Sequence, residues 1–162
     1  MHPALGVILR GARAEVNLAL FPKAFDNAEW SKNGATVTAD QAAAPDGTTT
    51  ADRIELASSG QGTNYVQQLV DLGDSSSASK TVTIFCWLRS LSGTQNLALK
   101  NTQSAVADHF SNITVTTEWT RFIFAFTNGP LAGNGFQNVG LTGHSDASAV
   151  DVYAWDFRAV KG

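Results

Sequence analysis

From residue 64 onward, apolar and polar positions alternate with a period of two through most of this chain. Runs that alternate, or that are rich in β-branched and aromatic residues, cover 64–70, 81–89, 96–100, 113–116, 121–127, 136–142 and 150–160. Successive side chains of a strand point to opposite faces, so each run predicts a strand. Turn signals separate them: Gly60-Gln61-Gly62, the stretch 73–79, Ser92-Gly93, Asn128-Gly129-Pro130, Asn134-Gly135 and 143–148. No segment keeps a 3.6-residue apolar period for three turns, and the nearest, 40–44, runs into Pro45. The pattern predicts an all-β sandwich or barrel.

The faces say more than the strand count. In 81–89, Val82, Ile84, Cys86 and Leu88 share one face, and Thr81, Thr83, Phe85, Trp87 and Arg89 share the other. In 121–127, Phe122, Phe124 and Phe126 lie opposite Arg121, Ile123 and Ala125. In 150–160, Tyr153, Trp155 and Phe157 go with Asp151, opposite Val150, Val152, Ala154, Asp156 and Arg158. Strands apolar on both faces are central, with one face on the core and the other met by a partner subunit or by long loops folded back. Cys86 falls on a core face, which predicts a buried, unreactive thiol, and a single cysteine makes no internal disulfide.

Composition narrows the classes. With 43% hydrophobic and 15% charged residues, 162 residues are most simply one globular domain. Residues 1–14 carry Arg10 and Arg13 and no acid; taking these two charges from the net −3 leaves −5 on the rest. An acidic body lacks the basic stripe that nucleic acid requires. No run approaches the ~18 apolar residues of a membrane span. The apolar run 4–9 is short, ends at Arg10 and has no Lys or Arg before it, so it does not read as a secretory signal. The expectation is a chain kept in the cytoplasm or assembled there into a particle.

Residues 17–54 join apolar anchors (Leu18, Leu20, Phe25, Trp30) to an Asn33-Gly34 turn, a β-prone piece and a second turn at Pro45-Asp46-Gly47. This segment resembles the opening of jelly-roll modules, related to carbohydrate-binding modules, that recur in bacteriophage tail, fibre and other virion proteins. Residues 80–89 resemble the family's central strand, 115–122 its T-x-E-W-x-R-[FY] segment, and 150–160 its closing strand. The closing strand departs from the phage pattern, reading Ala154-Trp155-Asp156-Phe157-Arg158. The resemblance implies a jelly-roll β-sandwich of two antiparallel sheets over 17–162, behind an N-terminal arm at 1–16. It further implies a virion structural protein of capsid or tail, expected to be a homo-oligomer that contacts other virion proteins and host-surface glycans. The alternative is a carbohydrate-binding module of a larger enzyme or adhesin.

The side chains nominate no enzyme. His2, His109 and His144 are scattered, there is no Cys pair, and no nucleophile elbow or phosphate loop occurs. Sugars present apolar C–H faces and rings of hydroxyls, which suits an aromatic platform with amide and cationic hydrogen-bonders. Tyr65, Gln67, Phe85, Trp87 and Arg89 supply that mixture if their strands are neighbours; otherwise the aromatics pack under loops or against a subunit. No cofactor is required by any motif. The resemblance implies a structural Ca²⁺ held by Asp26 and Asp156, against which Asp156 pairs with Arg158 or Arg121 and Asp26 is a surface acid. In the arm, Leu5, Val7, Ile8, Leu9 and Arg10 are expected to dock on another chain, the alternative being a frayed leader.

Overall fold

A computed structural model describes residues 15–103, 108–130 and 133–162. The docking residues Leu5, Val7, Ile8, Leu9 and Arg10 lie outside the described residues. Ten strands form among the described residues: β1 (Ser31–Asn33), β2 (Ala35–Ala42), β3 (Ala51–Leu56), β4 (Tyr65–Asp71), β5 (Thr81–Ser90), β6 (Gln95–Thr102), β7 (His109–Val115), β8 (Thr120–Thr127), β9 (Phe136–Gly143) and β10 (Val150–Lys161). They build two five-stranded sheets, a first ordered β1-β4-β9-β6-β7 and a second ordered β2-β3-β10-β5-β8. All pairings are antiparallel, and the architecture is the expected jelly-roll sandwich.

The seven predicted strands stand within a few residues of their expected limits. The first three were less visible, because they are short, polar or interrupted. Between β1 and β2 the chain changes sheets at Gly34, whose φ of +56° is open to glycine at little cost. A Cβ there would run into the Asn64 side chain, whose Nδ2 donates to the Ala57 carbonyl at 2.8 Å.

The space between the sheets is filled by the alternating apolar positions, among them Ile54, Leu56, Val66, Ile84, Leu88, Leu97, Leu99 and Leu141. One end is closed by Phe25, Trp30 and Phe157, with ring centres 4.9 to 6.5 Å apart. Cys86 is buried, and burial pushes its thiol well above the ordinary range, so it stays protonated and inert.

The face assignment of β10 is corrected by a bulge. Between Trp155 and Arg158 the register against β5 shifts, with Asp156 in the left-handed region at φ +50°. The extra residue turns Phe157 inward to the core, while Trp155 stays outside near Trp87 and Tyr153. Tyr153, Trp155 and Phe157 therefore do not share a face.

Candidate functional site

The two sheets separate the predicted platform. Tyr65 and Gln67 lie on β4 in the first sheet, whereas Phe85, Trp87 and Arg89 lie on β5 in the second. All five point away from the core, on opposite sides of the sandwich. The expectation that they converge on one surface is overturned, because β4 and β5 are consecutive strands whose connection crosses between sheets.

On the first sheet's outer face, one row across four strands reads Gln67, Gly140, Lys100 and Phe110. Gly140 has no side chain, and a Cβ there would meet the β4 backbone at Val66 and Gln67. Across that gap Lys100 Nζ donates to Gln67 Oε1 at 2.6 Å and sits 4.3 Å from the centre of the Tyr65 ring. The Lys100 residue is only 5% exposed, and outward-facing Ala98 and Thr102 on the same strand are also buried. These side chains are therefore screened from solvent, in part by the 57–64 connection, whose Gly62 lies against Phe110, and half-buried Tyr65 and Gln67 border the shallow recess left beside them. Burial holds the Lys100 amine below the usual lysine range, with Asp108 opposing more weakly.

The 57–64 connection is tied to one side of the recess. Gly62 N donates to Thr142 Oγ1 at 2.9 Å, and Gln61 Nε2 donates to Asn112 Oδ1 at 2.6 Å. At the other end, Leu69 and Phe136 are exposed and, with Asn134 and Asn138, line a groove of about 260 Å³. The recess thus combines a phenol ring, amides, an ammonium and an apolar strip. Lys100 is the residue that sequence reasoning missed; its signal was its phase with Ala98, opposite the core positions Leu97 and Leu99.

On the second sheet the outer aromatics form a separate cluster. Ala44 and Ala51 pack with Trp155, and Ala42, Trp87, Trp119 and Tyr153 join them. Trp119 Nε1 donates to the Ala43 carbonyl at 3.1 Å and Trp155 Nε1 to Thr50 Oγ1 at 3.0 Å, so the 43–50 loop folds back over part of this face. Folded-back loops, one of the two covers expected from the pattern, are thus seen at Trp155 and Trp119. Arg53 Nε and Nη2 reach Asp151 at 2.9 and 2.8 Å, and Glu55 lies 3.2 Å away. A wider hollow beside this face includes Glu55, Asp151 and Gln95, but both carboxylates are already held by Arg53.

Asp26 and Asp156 were expected to share a calcium ion. The Asp156 carboxylate is bound by Arg158, at 3.1 Å from Nη2, as the alternative reading expected. Asp26 is exposed and lies within electrostatic reach of buried Asp52. Among the described residues no three His, Cys, Asp or Glu side chains are grouped to hold a metal. Two carboxylates, one of them committed to a guanidinium, fall short of the six to eight oxygens calcium takes, so this donor set does not fit the ion.

No protein-family model matches the chain, and no curated protein matches it in sequence. Solved structures match it in fold. The CBM22-1 xylan-binding domain of Paenibacillus barcinonensis Xyn10C superposes with a TM-score of 0.57 at 17% identity, over 93% of this chain and 97% of that one. TmCBM61, solved in complex with β-1,4-galactotriose, gives 0.55 at 15% identity, over 91% and 99%. The enzymatically active domain of bacteriophage CBA120 tailspike protein 4 gives 0.60 at 11% identity, over 90% of this chain but 21% of that one.

Proposed function

We propose that this chain is a non-enzymatic glycan-binding module and that the recess on the first sheet takes the sugar. Lys100 carries the reading. A lysine residue only 5% exposed, whose ammonium makes one hydrogen bond among the described residues, is costly to the fold. It keeps donors for a ligand. Tyr65 and the Leu69–Phe136 strip offer surface to the C–H face of a sugar, and Gln67 and Asn138 offer amides to its hydroxyls. The likeness in fold to solved carbohydrate-binding modules supports this reading over a purely structural role.

Calorimetry against a panel of neutral glycans tests it. At least one glycan should bind the wild type, and Tyr65→Ala and Lys100→Met should each weaken that binding about tenfold or more with the fold intact by circular dichroism. A wild type that binds no glycan, or variants that bind as well as it does, would remove the proposal.

The tailspike likeness favours a second reading, in which the domain is an oligomeric component of a virion, attached to capsid or tail proteins and displayed toward host-surface glycans. Removing residues 1–14 tests this reading. Loss of particle association with an intact domain supports it, and undiminished association rules out the arm as the anchor.

A further inference from the structure

The second sheet's outer face carries an arrangement for which the recess has no use. Arg89 pairs in register with Tyr153 on β10, and Trp119, at the entrance to β8, flanks it on the other side. Its guanidinium carbon lies 5.1 Å from the Tyr153 ring centre and 5.4 Å from that of Trp119. Arg89 Nε is buried with no hydrogen-bond partner, and the side chain has no acidic partner among the described residues. Two rings flank the guanidinium and its Nε edge is closed off. The terminal nitrogens are left to meet a ligand.

A second cation stands nearby. Arg121 is opposite Trp87 on β8 and lies 4.4 Å from the Phe85 ring centre, exposed and likewise without an acid among the described residues. Opposition to Trp87 makes it a diagonal neighbour of Arg89, roughly 7–8 Å away at the backbone. Lys23 adds a third positive charge over Trp155, with Asp46 in electrostatic reach. Three acids of this sheet are taken, Asp151 and Glu55 by Arg53 and Asp156 by Arg158, while Glu118, next to Trp119, is exposed and forms no ion pair with either arginine among the described residues. On a chain of net charge −3, two guanidinium groups without acids on one face run against the overall balance.

We propose that this face is a second binding site, for a glycan bearing carboxylates: a chain of uronic acids. The terminal edge of a guanidinium matches a planar carboxylate through two parallel N–H···O bonds. The flanking rings fix Arg89 in advance, which reduces the entropy lost on binding. Half-buried Trp87 lies beside both cations, and half-buried Phe85 with Ile123 at 58% exposure continues the apolar surface beyond Arg121 for sugar C–H groups. Nucleic acid is disfavoured, since a handful of cations without a basic stripe does not hold a phosphate backbone. Residues 1–14 are no match either, because their only charged side chains besides His2 are Arg10 and Arg13.

Titrating the full chain with oligogalacturonate, with poly-glutamate as comparison, tests the site. Saturable, salt-sensitive binding of oligogalacturonate is expected. Arg121→Gln and Arg89→Lys, the latter keeping the charge but losing the fork, should each weaken it about tenfold or more. Lys100→Met should leave it unchanged, which separates this site from the recess tested with neutral glycans. The proposal is overturned if the wild type does not bind, if both arginine variants bind as the wild type does, or if only Lys100→Met loses binding. Equal affinity for poly-glutamate would also overturn it, in favour of an acidic-peptide surface. Should Arg89→Lys fail to fold, Arg121→Gln decides alone.

Discussion

Replacing Lys100 by Met distinguishes a lysine kept for a ligand from one kept for the fold. In the native domain the Lys100 residue is 5% exposed, and among the described residues its ammonium has one hydrogen bond, to Gln67, and one aromatic neighbour, Tyr65. The substitution removes a charged hydrogen bond worth about 1.5–3 kcal/mol and a cation–π contact of about 0.5–2 kcal/mol. It also relieves a desolvation penalty of several kcal/mol and leaves a methionine of similar length in the recess. Gln67 is only half-buried, so water can satisfy its freed oxygen. The balance predicts a stability unchanged or raised by up to about 2 kcal/mol, which for a domain of this size is a Tm gain of up to about 4–8 °C.

Binding should move the other way, by about ten- to a hundredfold in Kd, the equivalent of the lost charged hydrogen bond. Urea denaturation and calorimetry on the same preparation give both numbers. The pH dependence follows with a definite sign. Burial lowers the folded-state pKa of Lys100, so between that value and 10.5 the unfolded chain binds more protons. The wild type therefore gains stability as the pH rises through this window, and Lys100→Met lacks that gain. A stability loss above about 2 kcal/mol would show that Lys100 holds the fold together, and would refute the reasoning.

Three further outcomes are expected. Asp52 is buried, and its carboxylate accepts from Phe25 N at 2.7 Å and Asp40 N at 3.0 Å, so Asp52→Ala should cost about 1–3 kcal/mol in urea at pH 7. Burial raises its pKa above 3.8, so the wild type gains stability as the pH falls through the raised value toward 3.8; a gap between the two proteins that narrows on acidification would contradict this. Gly34→Ala, at φ +56° and against Asn64, should cost about 2–3 kcal/mol by thermal melting, and a change below about 0.5 kcal/mol would mean the sheet switch tolerates a side chain. EDTA should leave the Tm of the domain unchanged, whereas a calcium-dependent rise lost in Asp26→Asn would restore the metal pair that the geometry does not favour.

The period-two pattern was enough to specify an all-β chain, to phase β5 and to send Cys86 to the core. Alternation is a local property: one face of a half-buried strand must be apolar whatever its neighbours are. Residues 31–56 were harder to read because Ser31–Asn33 is too short to show a period, and Ala35–Ala42 is polar and broken by the register shift at Thr38.

Which strands become neighbours is not a local property. Tyr65 and Trp87 both have outward-facing phases, and only the topology puts them on opposite sides of the sandwich. The bulge at Asp156 reversed Phe157 relative to Trp155, since one inserted residue flips every later side chain. Lys100 looked like the end of a strand until the register placed side-chain-free Gly140 between it and Gln67. Periodicity along the chain determined which residues face out. Register across the sheets, fixed by contacts between residues far apart in sequence, decided which of them meet.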